Sequence, residues 1–232
     1  MENLGEATVH ALHLLLAGDR ALWNIIGVSF SVSFRAILIA APLGLFLAFL
    51  LAYTRFRGRR PLTSILQSLQ SIPTVVIGLL VYMLLTRRGI FGDLHLLFTQ
   101  AAMVIGQILI AFLLIVPTAH GVLAGADRRA WETARTLGAS PWRSMWTVMY
   151  EMRFGLMAVL IAALARIITE VGTSIMVGGN IENYTRNIPT AIALQTSKGE
   201  FAQGIALGLT LLVLALLLNI FLGTLQGRGE MR

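Results

Sequence analysis

Five long apolar stretches constrain this chain more than any other feature of its sequence. They occupy residues 22–53, 62–85, 96–123, 154–177 and 201–225. An α-helix needs about 20 apolar residues to cross the hydrocarbon of a bilayer, and each stretch reaches that length. Barrel strands are only about half as long, and no other structure satisfies its backbone hydrogen bonds in lipid. The sequence therefore predicts an all-α integral membrane protein with about five transmembrane helices.

The remaining segments are too short for a separate soluble domain. Charged residues make up only 12% of the chain, whereas a soluble domain carries about 25%. We predict an N-terminal interfacial segment over residues 1–20, because its leucines face one way but the segment is too short to span the bilayer. The transmembrane domain then covers residues 21–226, and residues 227–232 form a tail too short to fold.

The basic residues are distributed unevenly between the two sides of the membrane. One side holds Arg55, Arg57, Arg59, Arg60, Arg128, Arg129, Arg135, Arg143, Arg153, Arg228 and Arg232. The other side holds Arg20, Arg87, Arg88, Arg186 and Lys198. The positive-inside rule makes the first side cytoplasmic. This predicts a multi-pass protein of the cell membrane with its N-terminus outside and its C-terminus in the cytoplasm, and it explains the net charge of +7 better than binding to nucleic acid does.

A polar loop at residues 125–152 interrupts the apolar stretches and has the pattern of two short helices. Gly138 suits the end of the first helix, Ser140 suits the cap of the second, and Pro141 suits its first position. Apolar residues then recur at spacings of three and four, which predicts one apolar face. Those residues are Trp142, Met145, Trp146 and Met149.

The spacing in the polar loop resembles the "EAA" loop of ABC importer permeases. That loop reads Glu-Ala-Ala, three residues, Gly, nine residues, then an aliphatic residue. Here Glu132, Thr133 and Ala134 are followed at those distances by Gly138 and Val148. Thr133 replaces the usual Ala, and the Leu and Pro that usually close the motif are absent. The resemblance implies a type I ABC importer permease fold in which the loop docks on the ATPase, with these predicted coupling residues: Glu132, Thr133, Ala134, Gly138, Ser140 and Trp142.

A second informative stretch follows the fourth apolar segment, from Glu170 to Phe201. Gly178 and Gly179 end a helix, a polar hairpin follows, and residues 190–196 either re-enter the membrane or form a surface helix. The stretch resembles permeases of tungstate-type ABC importers, relatives of the molybdate and sulfate permeases. The resemblance implies import of an oxyanion, first tungstate, with molybdate, sulfate or another oxyanion as alternatives. The predicted contacts with an external binding protein are Asn180, Thr185 and Arg186.

Arg186 and Lys198 suggest either attraction of an oxyanion or ordinary surface charge. The family resemblance further implies two permease copies, two cytoplasmic ATPase subunits that bind ATP and Mg, and an extracytoplasmic solute-binding protein. The sequence itself contains no phosphate-binding G-x-x-x-x-G-K-[ST] motif, no cysteine and no metal-binding histidine motif. We therefore predict no catalytic residue, no metal site and no cofactor in this chain, which is a permease subunit and not an enzyme.

Polar residues inside the apolar stretches predict either a lined pathway or helix packing. Arg166 and Glu170 lie four residues apart and are expected to pair on one helix face, as a packing pair or as a gate. Arg35 either reaches the outer surface or faces a cavity. A bent second helix is expected at Pro73. The pathway or gate candidates are Arg166, Glu170, Gln67, Gln70, Ser71 and Gln107, with interhelical hydrogen bonding as the alternative for the last four.

Two functions of other classes remain open from the sequence. A self-sufficient secondary transporter would need a carboxylate within the spans for ion coupling, and Glu170 is the one candidate. A membrane assembly protein without transport would need no such group. A co-purifying ATPase is expected only for the importer subunit.

Overall fold

The computed structural model describes residues 20–54 and 56–230, and within them every regular element is a helix. The predicted all-α architecture is therefore confirmed. The predicted N-terminal interfacial helix lies outside the described residues except for Arg20. The helices are α1 (Arg20–Tyr53), α2 (Arg59–Leu69), α3 (Thr74–Leu85), α4 (Gln100–Gly125), α5 (Arg129–Thr136), α6 (Pro141–Glu151), α7 (Arg153–Ile168), α8 (Gly172–Gly178), α9 (Ile188–Lys198) and α10 (Phe201–Glu230), with a 3-10 turn at Gly92–Leu94.

The pair α1 and α4 forms the centre of the fold. α1 has 34 residues, so it is about 51 Å long at a rise of 1.5 Å per residue. Its buried positions are small: Ala36, Ala40 and Ala48 are completely buried. At Gly44 a Cβ would lie 2.8 Å from Cγ2 of Ile115 on α4. Small residues allow two helix backbones to approach closely. This packing stabilises helix association in a bilayer, where the hydrophobic effect does not drive helices together.

The second predicted span is bent, as expected. α2 and α3 meet at 100° across the residues between Leu69 and Thr74. Pro73 precedes the first residue of α3, where its missing N–H costs nothing, but it cannot continue α2. A proline is among the few identifiable causes of a sharp kink. Gln70, just before the bend, is exposed, and Thr74 at the start of α3 is half-buried.

The fourth predicted span is not one continuous helix, and the prediction of a single helix over residues 154–177 is wrong. α7 ends at Ile168 and α8 begins at Gly172. The hydroxyl of Thr169 donates to the carbonyl oxygen of Arg166 at 2.9 Å, a local bond that competes with helical pairing. A Cβ at Gly172 would lie 2.6 Å from Cγ2 of Val75, so the break lets the chain pass close to α3. Tertiary packing thus breaks the helix within an apolar segment whose sequence pattern predicts one continuous helix.

Among the described residues, up to four of the five predicted crossings meet a test of length and composition. α1 and α4 are each long and apolar enough to cross a bilayer, and the bent pairs α2–α3 and α6–α7 meet the same test when each is taken as one unit. α10 contains a shorter apolar stretch, Gln203–Leu218. α10 also continues to Glu230, so residues 227–230 are helical and not part of an unfolded tail. Adding residues to an existing helix avoids the cost of nucleation.

The segment 179–187 and α9 close the other end of the molecule. Asn187 caps α9 in a reciprocal arrangement with Thr190, in which each side chain bonds the backbone of the other. α9 packs on α1 and α10 through a small apolar cluster. Its buried members are Leu22, Ile26, Ile188, Ala191, Ala206 and Leu207. Residues 190–196 therefore belong to a helix that is packed against two others.

Candidate functional site

The polar loop folds as the predicted helix, turn and helix. Gly138 ends α5 with φ of +83°, in the left-handed region, and no atom lies within 4 Å of the position of a Cβ. Backbone conformation and not crowding therefore requires glycine there. The Ser140 side chain accepts a hydrogen bond from the Arg143 N–H at 3.4 Å, and Pro141 occupies the first position of α6. The turn is thus specified by residues that each satisfy a backbone requirement of a helix end.

The outer surface of this hairpin carries the predicted coupling residues and a patch of apolar side chains. Glu132 and Thr133 are exposed, and Ala134 is half-buried. Leu137 is 82% exposed. The rings of Trp142 and Trp146 meet edge to face with centroids 5.9 Å apart, and both are more than half exposed. Two exposed tryptophans and an exposed leucine on one short hairpin are typical of a surface that a partner covers.

The predicted single apolar face of α6 is wrong in detail. Met145 and Val148 are buried beneath the hairpin, and Met149 is half-buried. Trp142 and Trp146 point away from them into the open. The helix therefore has two apolar faces, one that packs on the bundle and one that is left without a partner among the described residues.

Trp131 joins the hairpin to the end of α1, a contact that sequence analysis missed. Its ring lies 5.6 Å from the Phe49 ring and 5.3 Å from the Tyr53 ring, centroid to centroid. Phe49 and Tyr53 stack on each other at 4.8 Å. Aromatic pairs in these arrangements contribute about 0.5–1.5 kcal/mol beyond their buried area. The spacing of four between Phe49 and Tyr53 was the available signal, because it places both rings on one face of α1.

The second candidate site lies at the break between α7 and α8. Nη1 of Arg166 donates to Oε2 of Glu170 at 2.9 Å, so the predicted pairing is confirmed. The pair does not share one helix face, because α7 ends before Glu170. The other carboxylate oxygen of Glu170 accepts from the Thr173 N–H at 3.3 Å, in the first turn of α8. Glu170 is thus held from both sides of the break.

A cleft beside this pair brings two of the predicted pathway residues together. It has a volume of about 280 Å³, and Arg166 and Gln70 both line it. Thr74 and Pro73, at the bend between α2 and α3, line it as well. The other polar residues predicted on α2 and at its end, Gln67 and Ser71, are exposed in the single chain. The two helix breaks therefore lie against each other at one cleft.

Gln107 is separate from this cleft. It is buried, and its Nε2 donates to the carbonyl oxygen of Ile167 on α7 at 3.3 Å. Its Oε1 is buried without a hydrogen-bond partner among the described residues. The alternative interpretation of Gln107, interhelical hydrogen bonding, thus describes its position in this chain.

Thr173 is the residue that sequence analysis missed at the second site. Its hydroxyl donates to the carbonyl oxygen of Thr74 at 2.9 Å and so connects α8 to the start of α3. A Cβ at Gly106 would lie 2.3 Å from Cγ2 of Thr173, and one at Gly78 would lie 2.9 Å from its Cα. Glycines at two positions on neighbouring helices were the signal, but only the fold shows that both face the same threonine.

The predicted external loop is tied together mainly by its own side chains. Thr185 is completely buried. Its hydroxyl donates to the Gly178 carbonyl oxygen at 2.6 Å and accepts from the Ile181 N–H at 2.9 Å. Thr185 therefore stabilises the conformation of the loop, and its buried side chain is not accessible to a partner protein. Asn180 is half-buried and has a left-handed φ of +51°.

The basic residues of this loop are balanced by acids. Nη1 of Arg186 lies 3.6 Å from Oε2 of Glu182. A second cleft, of about 260 Å³, contains Arg186 and Lys198 together with Glu182 and Glu200. Two basic and two acidic side chains leave no net positive charge in this cleft. The arrangement favours ordinary surface charge over attraction of an oxyanion.

Arg35 lies at the end of the bundle that carries this loop. Its Nη2 donates to Oε1 of Gln100 at 2.5 Å, and Gln100 is the first residue of α4. Nε2 of Gln100 in turn donates to the carbonyl oxygen of Tyr184 at 2.7 Å. Arg35 is exposed beside the start of a spanning helix, which supports the surface position over a cavity position.

Comparison with known proteins gives relatives over nearly the whole chain. The permease protein TupB of the tungstate uptake system of Campylobacter jejuni is 36% identical over 90% of this chain and 87% of the relative. TupB of Peptoclostridium acidaminophilum is 34% identical over 97% of this chain and 99% of the relative. A bacterial alginate ABC transporter, crystallised with an alginate-bound periplasmic protein, superposes with a TM-score of 0.69 at 17% identity. That likeness covers 93% of this chain and 82% of the transporter chain.

The structural likeness shows that the fold is that of an ABC importer permease, as predicted. The family described as binding-protein-dependent transport system inner membrane component matches residues 40–228. That match includes the polar loop, the ion pair and most of the helices described above. The chain belongs to the family of inner membrane components of binding-protein-dependent transport systems.

Proposed function

We propose that this protein is the transmembrane permease subunit of an ABC importer that takes up an oxyanion, first of all tungstate. The observation that carries the proposal is the likeness to two tungstate uptake permeases along almost the whole chain. The hairpin of the polar loop supports the coupling part of the proposal, because it leaves an apolar surface uncovered within the described residues.

The polar loop faces the cytoplasm and docks on a separate ATPase. Leu137, Trp142 and Trp146 supply exposed apolar anchors, and Glu132 supplies an exposed charge on the same hairpin. Tryptophans at the centre of an interface often carry most of its binding energy, while surrounding groups exclude water. The ATPase, and not the permease, binds ATP and Mg. The remaining surface of the permease contacts lipid, and no nucleic acid is a partner.

The hairpin is built to transmit movement into the membrane. Trp131 ties α5 to the aromatic pair at the end of α1, and Met145 and Val148 tie α6 to the bundle. Closure of two ATPase subunits then draws together the hairpins of two permease copies. The spanning helices move with the hairpins, because close-packed interfaces switch between discrete arrangements and do not deform continuously. The pathway between the copies thereby alternates between its inward-facing and outward-facing forms.

The solute-binding protein supplies most of the affinity for the oxyanion. Tungstate and molybdate have the same charge and nearly the same tetrahedral shape, and sulfate is a smaller relative of the same form. A pathway that binds its substrate weakly does not separate such ions. We therefore assign the choice between them to the binding protein, with molybdate, sulfate or another oxyanion as the alternative substrate.

The test is uptake by the reconstituted complex. Proteoliposomes with the permease, its ATPase and its binding protein are expected to accumulate radiolabelled tungstate only when ATP is present. Molybdate and sulfate added in excess measure the selectivity. Uptake by the permease alone without ATP would support a secondary transporter instead, and a permease that never co-purifies with an ATPase would support an assembly role.

The orientation is tested separately with single cysteines. The chain has no cysteine of its own, so one introduced residue reports one position. Leu137→Cys in the polar loop and Ile181→Cys in the external loop both replace exposed side chains. A membrane-impermeant maleimide is expected to label the second from outside intact cells and the first only in inverted vesicles. The opposite pattern would contradict the docking role of the polar loop.

A further inference from the structure

Arg166 and Glu170 are the only charged residues between positions 154 and 181. Arg166 lies 13 residues after Arg153, the first residue of α7, which is about 20 Å along a helix. The hydrocarbon layer is about 30 Å thick. The pair therefore lies in the membrane interior, where charged groups are costly and an unpaired one more so.

The two members of the pair are exposed to very different degrees. The side chain of Glu170 is 3% exposed, whereas that of Arg166 is 46% exposed. Glu170 is fixed on both sides, by Nη1 of Arg166 and by the Thr173 N–H. Among the described residues, the hydrogen bond to Glu170 is the only one from the Arg166 guanidinium. A guanidinium has five N–H donors, so most of them point elsewhere.

The open side of Arg166 faces the cleft at the two helix breaks. A guanidinium turned toward lipid is strongly disfavoured, so these donors require water or a polar ligand. The cleft of about 280 Å³ also contains Gln70 and Thr74. At about 30 Å³ for each water, it has room for a small tetrahedral anion with part of its hydration shell. The site thus offers a cation, an amide, a hydroxyl and space within a lining that is otherwise apolar.

We propose that Arg166 is a transient binding group for the oxyanion in the translocation pathway and that Glu170 is its resident counter-ion. The inference rests on the proposed function. With the pathway empty, Arg166 and Glu170 neutralise each other, which makes the buried carboxylate of Glu170 tolerable. An arriving dianion accepts hydrogen bonds from the unused N–H donors of the guanidinium. The planar arrangement of these donors also matches two oxygens of a tetrahedral oxyanion. The fixed carboxylate repels the dianion, so binding stays weak and release stays fast.

The experiment uses the complete complex in proteoliposomes and measures tungstate uptake, ATPase activity and thermal stability together. Arg166→Gln is expected to reduce uptake at least tenfold and to lower stability, because Glu170 is left buried and unpaired. The double variant Arg166→Gln with Glu170→Gln is expected to regain stability and assembly with the ATPase, while its uptake stays at the level of the single variant. Arg166→Lys keeps the charge and is expected to retain more uptake than Arg166→Gln.

Arg35→Gln is the matched control, because it removes an arginine within α1 that does not line the cleft. Its uptake is expected to stay within about twofold of the unaltered protein. Wild-type uptake of the double variant at restored stability would overturn the proposal and leave a purely structural ion pair. Glu170→Gln is expected to increase the tungstate that the purified permease–ATPase complex retains without binding protein, and unchanged retention would overturn the role of Glu170. Failure of the unaltered complex to import tungstate would instead reject the proposed function.

Discussion

The hairpin of the polar loop and the break between α7 and α8 use their distinctive side chains in opposite ways. On the hairpin, Leu137, Trp142 and Trp146 are exposed although they are apolar. At the break, Glu170 and Thr173 are buried although they are polar, and each has a hydrogen-bond partner within the chain. A surface that another chain covers is thus recognised by the apolar side chains that it leaves unpartnered. A joint between helices is recognised by what it satisfies internally.

A change at the turn of the hairpin is expected to alter the whole proposed docking surface at once. Gly138→Val places a β-branched residue at φ of +83°, a conformation that costs such residues about 1–2 kcal/mol. The turn between α5 and α6 is expected to shift, so the docking surface no longer matches the ATPase. Uptake by the reconstituted complex is expected to fall at least about tenfold, the factor that corresponds to 1.4 kcal/mol, while the permease still inserts into the membrane.

Gly138→Asn is the matched control, because asparagine tolerates the left-handed region far better than valine. It is expected to keep most of the uptake. Glu132→Ala leaves the backbone intact and is expected to uncouple ATP hydrolysis from uptake through loss of the charge. Normal transport in both Gly138→Val and Glu132→Ala would contradict the docking role of the hairpin.

Two tryptophans on the same hairpin, one exposed and one packed, allow docking and stability to be tested separately. Trp142 is 58% exposed, so Trp142→Ala is expected to leave the stability of the isolated permease unchanged. It is expected to weaken ATPase binding about 30-fold, because interface anchors of this kind contribute about 2 kcal/mol or more. Titration of the ATPase onto the permease in lipid nanodiscs gives the dissociation constant.

Trp131→Ala is expected to show the reverse order of effects. Trp131 packs on Phe49 and Tyr53, and loss of a buried aromatic ring costs about 3–5 kcal/mol, with less expected at a half-buried position. Thermal unfolding in detergent is therefore expected to move down for Trp131→Ala and not for Trp142→Ala. Equal loss of stability in the two variants would contradict the assignment of one ring to packing and the other to docking.

The sequence predicted features that are encoded locally, and it failed where distant segments decide. Gly138, Ser140 and Pro141 each satisfy a requirement of their own helix end, so the hairpin was predictable from its residues. The break at residues 169–171 depends on the closeness of Gly172 to α3, and no local pattern contains that contact. Periodicity likewise cannot tell which apolar residues of α6 face the bundle. The spacing of four predicted the pairing of Arg166 with Glu170 as a contact on one helix. The ion pair is present, but Glu170 lies beyond the end of α7, so the break and not a shared helix face positions it.

The contact between Thr173 and the two helix glycines offers a rescue experiment at the interior break. A methyl group added by Gly106→Ala would lie 2.3 Å from Cγ2 of Thr173, and such overpacking costs about 1–3 kcal/mol. Thr173→Ser removes that Cγ2 but keeps the hydroxyl that bonds the Thr74 carbonyl. The double variant is therefore expected to recover stability lost in Gly106→Ala. Additive losses of unfolding free energy would show that the two residues do not meet.

The smallest expected effect compares two buried serines one helical turn apart on α1. Oγ of Ser29 accepts from the Ile188 N–H at 2.7 Å, whereas Oγ of Ser33 is buried without a hydrogen-bond partner among the described residues. Ser29→Ala leaves the Ile188 N–H unsatisfied and is expected to cost about 1–2 kcal/mol. Ser33→Ala removes an unpaired hydroxyl of the same size and is expected to be neutral or slightly stabilising. Thermal unfolding in detergent measures both. Equal losses would mean that the hydrogen bond at the start of α9 contributes nothing, and that burial alone sets the stability of this joint.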